Sequence, residues 1–76
     1  MKNIYKHNPL IAAMVASLPD LKRGNMAAKS LAKQRKHLDR ARTDLRFKNP
    51  ESARYYLAQW AKERHLWAHL VGAAVK

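Results

Sequence analysis

Cysteine is absent from the 76 residues, which removes disulfides, thiolate nucleophiles and thiolate-bound metals together and suits a reducing compartment such as the cytoplasm. Glycine occurs only at Gly24 and Gly72, so no glycine-rich loop is available to cradle a phosphate. Acids are also scarce. Asp20, Asp39, Asp44, Glu51 and Glu63 are scattered with no pair spaced for general acid and base work, and the three serines show no nucleophile elbow. These shortages predict a protein that is not an enzyme and uses no cofactor.

Long apolar runs are missing too. The stretch Leu10 to Leu18 is too short to span a bilayer. Lys2, Lys6 and His7 precede it and Val15-Ala16-Ser17 within it is a cleavage-like site, so a secretory signal is the rival reading. Asn8 and Pro9 argue for a helix instead, because they supply a cap and a first-turn proline. A short helix over about 9–18 is expected, with residues 1–24 as that helix and its linker.

Positive charge is plentiful. Sixteen Lys and Arg against five acids give a net charge of +11, which favours nucleic acid, an anionic membrane or an acidic protein as partner. Eight of the cations fall between residues 26 and 48, where only Asp39 and Asp44 oppose them.

Two heptad-like seams flank Lys48-Asn49-Pro50-Glu51-Ser52. Upstream, Ala27, Leu31, Leu38, Ala41 and Leu45 recur at three and four, with Gln34 filling the gap. Downstream, Ala53, Leu57, Trp60, Arg64, Trp67, Val71 and Ala74 do the same. Asn49 can cap the second helix and Pro50 suits its first turn. The prediction is an all-α single domain: an antiparallel helical hairpin (about 26–47 and 50–74) within residues 25–76, with the short N-terminal helix packed on it. Folding at Asn49 would pair Leu38 with Trp60, Leu31 with Trp67 and the polar residues Gln34 with Arg64. Pro19 to Asn25 reads as the linker, broken by Pro19 and Gly24.

A hairpin of this size is marginal alone, so a homodimer through Tyr56, Trp60, Leu70 and Val71 is a natural extension.

On the first long helix Lys29, Lys33, Lys36 and Arg40 form a cationic ridge, and Arg35, Arg42 and Arg46 form a second row on one flank. Such rows can track phosphates of DNA or RNA by releasing condensed counterions. The plain alternative is that these charges only solvate the helix, but a solvated face ordinarily mixes signs. Phe47 is expected to close the turn against Tyr55 or Tyr56, and Trp60 and Trp67 to pack inside. His65 and His69 stand one turn apart without a third ligand, so no metal site is expected.

The first functional reading is a nucleic-acid-binding protein of weak sequence preference. The second is a modulator or inhibitor that docks on an acidic host protein, with Phe47, Tyr55 and Leu66 as interface residues. Small size and high basicity suit accessory proteins of phages or mobile elements. Membrane association ranks last, because charge and apolar residues occupy different segments. No RRM, KH, zinc-finger or basic-zipper signature is present.

Overall fold

The computed structural model describes residues 5–73 and is all-α, in an envelope of 42 × 24 × 23 Å. Helix α1 spans Pro9–Ala16, α2 spans Asp20–Arg46 and α3 spans Pro50–Leu70. The two long helices form the expected antiparallel hairpin, and α1 lies against α3 at its open end. Ala74, the last residue of the expected seam, lies outside the described residues.

Local chemistry explains most of the boundaries. Asn8 Oδ1 accepts from the amides of Leu10 and Ile11, and Pro9 opens α1 where a missing N–H costs nothing. Asn49 Oδ1 accepts from Ser52 N, with Pro50 again in the first turn. Between α2 and α3 the chain reverses in three residues, with Lys48 at φ 59°, the left-handed conformation that ends many helices.

The linker differs from expectation. Residues 20–25 belong to α2, and only Ser17, Leu18 and Pro19 separate it from α1. Asp20 sits in the first turn, where it complements the helix dipole and pairs with Arg23. Gly24 and Asn25 are exposed, so they weaken the helix only by their low propensity, while Met26 and Ala27 beside them are held in the cluster with Val15 and Leu70. Packing outweighs the breaker.

The seam is also turned by one residue on both helices. Residues withdrawn from solvent include Ala27, Ser30, Gln34, His37, Leu38, Ala41 and Asp44 on α2, and Ala53, Tyr56, Trp60, Glu63, Arg64, Trp67, Ala68, His69 and Leu70 on α3. Leu38 and Arg64 stay half-buried, while the other alternate members of the expected stripes are displaced. Leu31 is 45% exposed and Leu45 57%, and Leu57 and Val71 also face solvent.

Hydrogen bonds at both ends account for the rotation. Near the turn, Asp44 Oδ2 accepts from Ser52 Oγ at 2.6 Å and the Asp44 carbonyl accepts from Asn49 N at 2.7 Å, which draws residue 44 inward and leaves Leu45 outside. Toward the open end, Ser30 Oγ is 2.9 Å from both the carbonyl and the Oε2 of Glu63, and Gln34 Nε2 donates to Ser30 Oγ. Buried polar groups must be partnered, and these are. Ala41 and Ala53, each 1% exposed, let the two backbones approach between those ends.

The axial pairing shifts with it. Ser30 meets Glu63 and His37 stacks on Tyr56, so Trp60 stands at the level of Gln34 rather than Leu38. Arg64 therefore does not pair with Gln34; its guanidinium lies 5.1 Å from the Trp60 ring and 5.3 Å from Tyr5. The polar residues are spread along the seam instead of meeting in one layer.

A glycine inside a helix costs about 1 kcal/mol relative to alanine, and a methyl added at Gly24 would meet nothing within 4 Å. Gly24→Ala should therefore raise stability by about 0.5–1 kcal/mol, read as a thermal midpoint several degrees higher. A variant with an unchanged midpoint would mean that residue 24 is not helical.

Candidate nucleic-acid interface

Lys29, Lys33, Arg35, Lys36, Arg40, Arg42, Arg46 and Lys48 are all exposed on or just beyond α2. The two acids of this stretch behave differently from one another. Asp44 is buried and occupied by Ser52 Oγ and, at 3.5 Å, by Arg40 Nε. Only Asp39 remains outside, at 4.0 Å from Arg42 Nη1. The outer surface of this segment thus presents eight cations and one exposed carboxylate. Exposed pairs of this kind contribute little, so they leave the cations available.

The cations do not share one face. Lys33 and Arg40 border the hairpin on the side where Met26 and Leu66 meet α1, and Lys29 and Lys36 lie just outside them. Lys33 Nζ is 4.0 Å from Glu63 Oε1, and Arg40 lies 5.4 Å over the Tyr56 ring. Lys36, His37, Arg40 and Tyr56 line an open concavity together with Asp39 and Thr43. Two cations, a ring face and hydroxyl groups at one place can hold a phosphate and the edge of a base. By helical count, Arg35 and Arg42 stand on the other flank of α2 and Arg46 between the two.

The aromatic expectations divide. Phe47 does not close the turn. It caps α2 by its backbone while its side chain is exposed, because Asp44, Asn49 and Ser52 already fill the turn with hydrogen bonds. Tyr55 and Tyr56 pack edge to face on each other at 5.1 Å, leaving Tyr55 exposed and Tyr56 in the seam. Trp67 packs against the cluster under α1, and so does Leu66, which is therefore not a free interface residue. Leu70, expected at a dimer contact, is buried in that same cluster.

Sequence reasoning gave the histidines no structural role, yet His69 anchors the segment before α1. Its Nδ1 is 2.7 Å from the His65 carbonyl, which can only accept, so Nδ1 carries the proton. Nε2 is then the acceptor for Asn8 N at 2.8 Å. Both nitrogens are engaged within the fold, and His69 cannot bind a metal without breaking one of these contacts. The spacing of His65 and His69 was visible in the sequence; the backbone partner, 61 residues away, was not.

No known protein family, curated protein or solved structure matches this chain.

His69→Ala leaves Asn8 N–H without its acceptor and unpins the N-terminal segment. A loss of about 1–3 kcal/mol is expected, with faster amide exchange at residues 5–12 than in α2. Unchanged protection there would contradict the anchoring role.

Proposed function

We propose that this is a non-enzymatic, cytoplasmic nucleic-acid-binding protein that lays α2 along a phosphate backbone. The observation that carries the reading is the inward turn of Asp44, which leaves Asp39, beside Arg42, as the one exposed acid among the eight exposed cations of residues 26–48. Lys29, Lys33, Lys36 and Arg40 form the primary row, and the concavity lined by Lys36, Arg40 and Thr43 lies along it. Arg46 extends the charge toward the closed end. Contacts of this kind position a ligand without reading its sequence, so discrimination among sequences should be weak.

The second reading, a modulator or inhibitor seated on an acidic host protein, as phage accessory proteins can be, keeps Phe47 and Tyr55 as exposed anchors. Leu66 no longer serves it, being covered by α1. Capture from a nuclease-treated lysate separates the two: one stoichiometric protein surviving digestion favours the modulator, and loss of all partners favours the nucleic acid.

Titration against short duplex DNA, duplex RNA and single strands should show affinity falling steeply with salt. Four phosphate contacts correspond to a slope of about −3 to −4 in log K against log salt on a DNA duplex. Lys29→Ala and Lys36→Ala should each reduce that slope by about 1. Affinity that stays level between low and moderate salt would end the proposal.

A further inference from the structure

The rotation of the seam turns Leu31 and Leu45 toward solvent on either side of a half-buried Leu38. Leu31, Leu38 and Leu45 recur every seven residues on α2, and the first and last are about half exposed. Met26 and Leu66 meet under α1, and Arg40 lies over Tyr56, so those residues mark one side of the hairpin. Helical counting then puts the three leucines on the opposite side, together with Leu57 and Arg64 of α3. That second side has no helix over it among the described residues. Tyr5 borders it toward the open end, where it lines a concavity with Trp60, Ala61 and Arg64.

Charge decides what could cover it. Arg35 and Arg42 stand one turn beyond Leu31 and Leu38 on the outer flank of α2, and Arg54 precedes Leu57 by three residues on α3. Glu63 is turned to Ser30 and Asp44 to Ser52, which leaves Asp39, at 4.0 Å from Arg42, and Glu51, three residues before Arg54, against the three arginines of this rim. An apolar row bordered by arginines on both helices repels a second copy of itself, because the same cations would meet across the joint. The seven-residue repeat fits a helix lying along α2, and Leu31 to Leu45 covers about 21 Å, or four turns of such a helix.

We infer that this face binds an amphipathic helix of another protein, with leucine-like residues along one stripe and Glu or Asp flanking them. The site is independent of the phosphate row, which lies on the other flank of α2. Binding would complete a three-helix arrangement, with the leucines buried and Arg35, Arg42 and Arg54 paired to the carboxylates.

The test uses the full chain and a synthetic 18-residue helical peptide with heptad leucines flanked by glutamates. A peptide of identical composition with its leucines scattered around the helix serves as comparison. Calorimetry should show one peptide bound per chain, at least tenfold tighter for the amphipathic arrangement. Leu31→Gln with Leu45→Gln should weaken binding tenfold or more, as should Arg35→Gln with Arg42→Gln, each with helicity retained by circular dichroism. Lys29→Ala with Lys36→Ala should leave peptide binding unchanged while weakening nucleic acid, which keeps the two proposals separately testable. Equal affinity for both peptides would overturn the inference. So would binding that survives the leucine changes, leucine-dependent adsorption to vesicles of anionic lipid in place of peptide binding, or leucine-dependent dimerisation by sedimentation.

Discussion

The close, polar contact between α2 and α3 determines where every other group of this protein lies. Two clamps hold it: Ser30 with Glu63 toward the open end, and Asp44 with Ser52 and Asn49 at the turn. Between them Ala41 and Ala53 fill little space, so the backbones can come together. Leucines would hold the helices further apart, and they are displaced to the edge. One rotation therefore buries a carboxylate, leaves Asp39 as the exposed acid among the cations of residues 26–48 and turns Leu31 and Leu45 outward.

Those consequences connect to function in two places. With Asp44 engaged at the turn, the cations of residues 26–48 face solvent and outnumber the carboxylates that reach them, Glu63 at Lys33, Asp44 at Arg40 and Asp39 at Arg42, as a phosphate-tracking surface requires. On the other flank, Leu31, Leu38 and Leu45 lie beside Arg35 and Arg42, a combination of greasy row and cationic border that asks for an acidic helix. The small core, confined to Val15, Ala27 and Leu70 with their neighbours and a line of alanines, fits a protein that gains part of its stability from what it binds.

The architecture was legible because its signals are local. Asn8-Pro9 and Asn49-Pro50 combine cap and first-turn proline, and both helices begin there. The antiparallel hairpin followed from matched periodicity, and the core positions Ala27, Gln34, Ala41, Ala53, Trp60 and Trp67 were recovered. The alternate positions were not. A heptad pattern scores leucine above serine or aspartate, so Leu31 and Leu45 were preferred to Ser30 and Asp44, whose partners lie elsewhere in the chain. Gly24 misled for a related reason: its propensity is local, while the packing of Met26 and Ala27 on α1 is not. The basic residues were found at once because exposure needs no partner, but the lone status of Asp39 depended on knowing where Asp44 points.

A double-mutant cycle on Ser30 and Glu63 tests the rotated seam most directly. Unfolding free energies of Ser30→Ala, Glu63→Ala and the double variant should yield a coupling of about 0.5–2 kcal/mol, as for side chains in direct buried contact. Additive effects, within about 0.3 kcal/mol, would mean that these residues do not meet and that the leucines form the seam after all.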